Sequence, residues 1–226
     1  MNATSSDKPG GNPQAQLQLM GALLTLALAG WLLYRHFVPP GIKVNTKPFA
    51  SLGEFAADEF AKIQPAGLVQ LVYDVPDKSA DQNPAFGKSI EMQGVQALAF
   101  KARLAQLGKY TFEPDMKLPR PAMAMYSAWP GGAFKTLIQA PNPALVLFSS
   151  LPAIDDAGRA LLRQRTGKLM VVGMAMPEVK PAVQANQVQL AIAYRVPVPP
   201  STATTESPAE WVKRVFAVLT PASVAP

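Results

Sequence analysis

The sequence predicts an α/β domain, flavodoxin-like (Rossmann-like), with three layers and a mostly parallel sheet of about five strands, carried behind a single N-terminal transmembrane helix. Three observations lead there. Val/Leu/Ile-rich runs alternate with helical patterns from residue 67 onward. PALVLFSSL (143–151) and KLMVVGMAM (168–176) are apolar without a break, as strands buried on both faces are. LQLMGALLTLALAGWLLY, Leu17 to Tyr34, holds one Gln and no charge.

The elements follow in chain order. Residues 1–16 are Gly-, Pro-, Ser-, Asn- and Gln-rich and are expected to be a disordered tail, because they bury too little to offset ordering entropy. Residues 17–38 are expected to be the membrane anchor. The 18 residues from Leu17 to Tyr34 reach about 27 Å as a helix, near the ~30 Å of bilayer hydrocarbon. Trp31 and Tyr34 sit at its end as an interfacial belt, with Arg35 and His36 beyond, and Pro39, Pro40 and Gly41 stop it. A cleaved leader would need a basic front and a small-residue cleavage site after the run, and neither is present. Gly21, Thr25 and Ala29 share one face at i, i+4, i+8, where small side chains admit a partner helix.

Two signals bear on orientation and they disagree. Arg35, Lys43 and Lys47 after the helix outnumber Lys8 before it, which favours a cytoplasmic domain. A short unstructured tail before an N-terminal anchor favours export of the large domain. The expectation is a single-pass protein of the inner (cytoplasmic) membrane with a periplasmic, extracytoplasmic domain, membrane lipid being its first partner.

Residues 39–50 read as a linker and 51–220 as the α/β domain, ending in a frayed tail at 221–226. Ser51 with Glu54 matches a capping box for a first helix. GLVQLVYDV (67–75) is the first strand, and 75–89 a long loop. A helix from Ile90 to Leu107 would present Val95, Leu98, Ala102 and Ala105, closed by Gly108. Tyr110 to Phe112 is a short strand, and 128–139 a short helix entered through Pro-Gly-Gly. IDDAGRALLRQRTG (154–167) places acids first and arginines last, matching the helix dipole. VQLAIAYRV (188–196) is the last strand, and ESPAEWVKRVFAVL (206–219) a closing helix with Ser207, Pro208 and Glu210 as its start signals. The expected strand order is 2-1-3-4-5.

From 66 to 220 the run PALVLFSSL, helix, KLMVVGMAM, VQLAIAYRV, closing on SPAEWVKRVFAVLT, resembles one lobe of the type I periplasmic sugar-binding-protein fold. The resemblance implies a binding role between lobes, and this chain has length for one lobe only.

Composition removes much chemistry. With no cysteine there is no thiol nucleophile or thiolate metal site, and the single His36 lies outside the domain. Neither a dinucleotide fingerprint, a P-loop nor a nucleophile elbow occurs. Ser149 and Ser150 stand where a receiver domain carries its phospho-acceptor carboxylate. Net charge +6 with scattered basic residues does not fit nucleic acid. No cofactor, metal or enzymatic activity is expected.

In open α/β sheets the ligand crevice lies beyond the strand carboxyl ends. Asp74, Asp77, Ser149, Ser150, Glu178 and Arg195 are placed there, a set able to hydrogen-bond a polyol or pair with a carboxylate. Asp74, Asp77 and Asp81 lack the order of a calcium loop. Arg159, Arg163, Arg165 and Lys168 form a basic cluster, read first as a solvated helix end. Met123, Met125, Tyr126 and Trp129, in a Pro-punctuated segment, are expected as an exposed partner surface. The leading expectation is a membrane-anchored, non-catalytic α/β domain acting as a protein-binding or accessory subunit of a membrane assembly. The alternative is a tethered solute-binding or sensory domain.

Overall fold

The computed structural model describes residues 44–78, 84–120, 129, 132–140, 143–201 and 205–225. The expected tail, the 17–38 anchor with Gly21, Thr25 and Ala29, and Met123, Met125 and Tyr126 lie outside the described residues. Among the described residues no helix is long and apolar enough to cross a membrane.

The elements run α1 (Lys47–Ile63), β1 (Gly67–Pro76), α2 (Pro84–Gln106), β2 (Tyr110–Phe112), β3 (Met116–Arg120), α3 (Ala133–Gln139), β4 (Ala144–Phe148), α4 (Asp156–Gln164), β5 (Leu169–Ala175), α5 (Met176–Gln184), β6 (Leu190–Tyr194), α6 (Pro208–Val215) and β7 (Phe216–Leu219). The sheet order is β2-β1-β4-β5-β6-β7, with β3 also on β1. The five expected strands stand in the order 2-1-3-4-5, and all their pairings are parallel. The sequence reading did not foresee β3 or β7. β2 and β3 share one side of β1, at Gly67–Val69 and Val72–Pro76 respectively. Pro119 is tolerated in β3 because no further strand pairs with it among the described residues. β7 runs antiparallel on β6.

Strand alternation builds two apolar layers. Val69, Leu71, Val146 and Phe148 point to the side covered by α1, α2 and α6, where Phe60, Phe100 and Phe148 stack edge-to-face at 5.6 Å each. Val72, Leu145, Leu147 and Val171 point to the other side, against Ile138, Leu162, Val179 and Val183 of α3, α4 and α5. Helices therefore cover both faces, as continuous apolar strands require.

Several local expectations shift. α1 begins at Lys47, so Ser51 is inside the helix; Thr46 is its N-cap without a side-chain bond, and a proline occupies the first turn. Proline there is pre-set for the helix and gives up an amide that would lack a partner anyway. Asn45 Oδ1 accepts from the Lys47 amide at 3.2 Å. α2 starts at Pro84, inside the expected loop, and buries Met92, Ala97, Phe100 and Leu104 while Leu98 is 62% exposed. The larger side chains Phe100 and Leu104 set the buried stripe, so Val95, Leu98, Ala102 and Ala105 do not form it. α5 was not among the expected elements; it carries Pro177 in the tolerant first turn and Pro181 in its interior.

The closing helix stops at Val215, and FAVL becomes β7. Its aromatic and β-branched residues suit a strand, and the open side of β6 supplies the partner. Its start is as read: Ser207 accepts from the Glu210 amide, and the Glu210 carboxylate accepts from the Ser207 amide. Hydrogen bonding to Ser207 lowers the Glu210 pKa, and that to Arg214 lowers the Glu206 pKa. The tail is not frayed through 225. Thr220 and Ser223 close a turn, Val224 is buried, and its carbonyl accepts from Gln184.

Two members of the basic cluster, Arg159 and Arg165, hold structure. Arg165 donates to the carbonyls of Leu137, Ile138, Ala140 and Pro143, closing the C-terminal end of α3, and burial lowers its pKa. Arg159 pairs with Asp156 and donates to the Ile154 carbonyl.

Candidate functional site

β1 and β4 end side by side, and β3 brings its last residue to the same place through the Pro76–Arg120 register. This puts Asp74, Arg120 and Ser149 together at the carboxyl end of the sheet, all buried at 7%, 6% and 4% exposure. Arg120 Nε lies 2.9 Å from Asp74 Oδ1. Arg120 Nη2 donates to Ser149 Oγ and Ser150 Oγ at 3.1 Å each. Ser149 Oγ donates in turn to Asp74 Oδ1 at 2.7 Å, closing a triangle. The Asp74 amide donates to Gln93 Oε1 of α2 at 3.0 Å. A charge pair held out of water needs such extra bonds to offset desolvation.

Above this floor lies a cleft of about 630 Å³, within the range of small-molecule sites. Its walls include Gln93 and Gln96 of α2, Phe49 of α1, Glu178 of α5 and Tyr194 of β6. Tyr194 is 41% exposed and its ring stands edge-on to Phe216 at 6.0 Å. Gly173 lies where the β5–β6 register shifts, with φ +87°. A side chain there is strained by conformation alone, since nothing lies within 4 Å of where its Cβ would sit. Beyond this irregularity Met174 turns its sulfur to accept from the Leu151 amide at 3.0 Å.

Of the six expected cleft residues, Asp74, Ser149, Ser150 and Glu178 line it. Asp77 and Arg195 do not. The Asp77 amide bonds the Arg120 carbonyl at the β3 end, and Arg195 donates to the Phe216 carbonyl, tying β6 to β7. Arg120 was missed because Pro119 argues against a strand in MKLPR, and only that strand delivers it. Gln93 and Gln96 were missed because the helix turn that carries them was assigned a different buried face.

Trp129 corrects a further expectation. It is buried at 6%, stacks edge-to-face on Phe134 at 5.2 Å, and donates to the Ser150 carbonyl at 2.8 Å. It supports the cleft floor from below and is no exposed partner surface. Cleft electrostatics are simple: Asp74 and Arg120 neutralise each other, leaving Glu178 as the uncompensated charge among the described lining residues. Glu178 sits in the first turn of α5. Among the described residues no group of three or more His, Cys, Asp or Glu side chains could hold a metal ion.

No protein-family model matches the chain, and no curated protein matches it. Solved structures do match. An ABC-transporter solute-binding protein from Burkholderia graminis, in complex with D-arabinose, shares 12% identity at TM-score 0.50 over 77% of this chain and 60% of that one. One from Agrobacterium vitis, bound with α-D-tagatopyranose, shares 14% identity at TM-score 0.47 over 77% of this chain and 57% of that one. A fructose-binding periplasmic domain of a hybrid two-component system shares 10% at TM-score 0.46 over 78% and 57%. This chain spans about half to three-fifths of the length of the solved structures it matches. The likeness is one of fold, and it is to the type I periplasmic sugar-binding architecture.

Proposed function

We propose that the chain is a membrane-tethered binding domain that holds a small polyhydroxylated molecule in its cleft without transforming it. The observation that carries this reading is the floor at the strand ends, where Asp74, Arg120, Ser149 and Ser150 fix donors and acceptors in one rigid set. Ser150 is exposed and bonded to Arg120, leaving its second face toward the cleft. Phe49 and Tyr194 supply rings on which the apolar face of a sugar packs, while Gln93 and Gln96 supply amides. The uncompensated Glu178 repels anions, so a neutral polyol fits better than the carboxylate ligand the sequence also allowed. D-arabinose, the ligand of the Burkholderia graminis structure, belongs to the class this cleft suits.

The charge-free stretch from Leu17 to Tyr34 supports a single-pass anchor in the inner membrane, and the short polar tail before it, against the flanking charges, supports a periplasmic domain. The face of Gly21, Thr25 and Ala29 supports contact with a partner helix, through which occupancy of the cleft is passed on. An accessory subunit recruiting partners through the 123–129 segment is the weaker reading, because the described member of that surface, Trp129, is buried.

The test is a thermal-shift screen of the full chain in lipid nanodiscs against neutral pentoses, hexoses and uronic acids. At a hundredfold excess over Kd, a ligand that binds only the folded state adds about 2.7 kcal/mol, a rise of roughly 5–10 °C at this size. At least one neutral sugar is expected to produce it, and uronic acids none. Ser150→Leu, which puts bulk into the cleft from an exposed position, is expected to abolish the shift. No shift with any sugar contradicts the reading.

A further inference from the structure

A second depression of about 370 Å³ adjoins the cleft and shares Met174 and Glu178 with it. Its other walls come from the β4–α4 loop (Leu151, Pro152, Ile154) and from Pro181 and Ala182 of α5. The two compartments differ in chemistry. The first has a polar floor with rings at its rim. The second is lined mainly by Leu, Ile, Pro, Ala and Met side chains, with Glu178 and Gln187 as its polar members, and its cation, Arg159, is already held by Asp156 and the Ile154 carbonyl. The ridge between them is built in. The irregularity at Gly173 turns Met174 toward Leu151, and the Leu151 amide on the Met174 sulfur fixes loop to strand.

We propose that the ligand is amphipathic: a glycoside whose sugar sits in the first compartment and whose aliphatic aglycone crosses the Met174–Glu178 ridge into the second. This rests on the reading of the first compartment as a polyol site and adds its own claim about size and substituent. A lone monosaccharide leaves the aliphatic groove to water, whereas an alkyl chain removes it from water. Each methylene fully buried is worth about fourfold in affinity. A six-carbon chain in an open groove, burying only part of its length, is expected to gain at least tenfold over a methyl group.

The experiment measures calorimetric affinities of the full chain in nanodiscs for methyl and hexyl glycosides of arabinose, glucose, galactose and mannose, with empty nanodiscs as blank. For the sugar that binds, the hexyl glycoside is expected to bind at least tenfold tighter than the methyl one. Ala182→Trp fills the groove from α5, and Ala153→Trp fills it from an exposed loop position if the first variant folds poorly. Either is expected to bring the hexyl affinity down to that of the methyl glycoside. Equal affinities for both in the unmodified chain overturn this inference and leave the polyol site standing. A hexyl advantage that survives both variants overturns it as well, because the chain then lies elsewhere. Failure of every methyl and hexyl glycoside to bind removes the polyol site together with this extension.

Discussion

Arg120→Ala is expected to destabilise the domain by about 3–5 kcal/mol, the usual cost of removing one partner from a buried ion pair. The guanidinium is 6% exposed and bonds Asp74, Ser149 and Ser150 at once. Without it the Asp74 carboxylate is left buried with the Ser149 hydroxyl as its described side-chain donor. The penalty is that of an orphaned charge more than of a lost attraction. A double variant, Asp74→Leu with Arg120→Met, removes both charges and is expected to cost less than the sum of the single variants. Urea unfolding of the unmodified chain, Asp74→Leu, Arg120→Met and the double variant measures this coupling. Additive single effects would show that the pair does not act as a unit, and the rigid floor argued for the cleft would go with it.

Gly53→Ala is expected to destabilise by about 2–3 kcal/mol, against the direction helix propensity gives. In a helix interior alanine is ordinarily better than glycine by about 0.5–1 kcal/mol. Gly53, however, is where α1 meets α2. A Cβ there would lie 2.2 Å from the Gln96 carbonyl oxygen and 3.0 Å from Ala99 Cβ. Backbone cannot step aside as a flexible side chain does, so the helices must part, and overpacking of this kind costs about 1–3 kcal/mol or more. Gly94→Ala in α2 is the internal control. Its added Cβ would meet nothing closer than the Tyr73 ring at 3.8 Å, so propensity decides and the variant is expected to gain stability. Urea midpoints of the two variants moving in opposite directions support the close crossing; a stabilised Gly53→Ala excludes it. Gln96 also lines the cleft, so loosening this crossing is expected to weaken ligand binding too.

The parallel core was readable because its strands are apolar on both faces. PALVLFSSL and KLMVVGMAM admit few other structures of their length, and the 2-1-3-4-5 order follows from alternating them with helices. The capping box at Ser207 was equally plain, because three start signals fall within four residues. Proline obscures two elements. Pro119 concealed β3, and with it Arg120, although an edge strand can spare the amide. Pro177 and Pro181 weaken the local helix signal of α5, although the first sits where a helix has no use for its amide.

Periodicity failed in α2, where two apolar stripes compete and the choice rests on which one meets Phe60 and Phe148. That contact is made between residues far apart in sequence and no local pattern records it. The cleft was half legible for the same reason. Asp74, Ser149, Ser150 and Glu178 stand at strand ends that can be counted along the chain. Arg120, Gln93 and Tyr194 reach it only through pairing and packing. Trp129 shows the converse: an apolar residue among prolines reads as sticky surface, until Phe134 and the Ser150 carbonyl enclose it.

The most direct measurement is hydrogen–deuterium exchange of the full chain with and without the sugar that gives the largest thermal shift. Slower exchange is expected at residues 148–151 and 172–178, which meet at the carboxyl ends of the strands, with no change at 163–168 on the opposite, amino-terminal side of the strands. Protection confined to that opposite side, or none at saturating sugar, contradicts a ligand cleft built on Asp74 and Arg120.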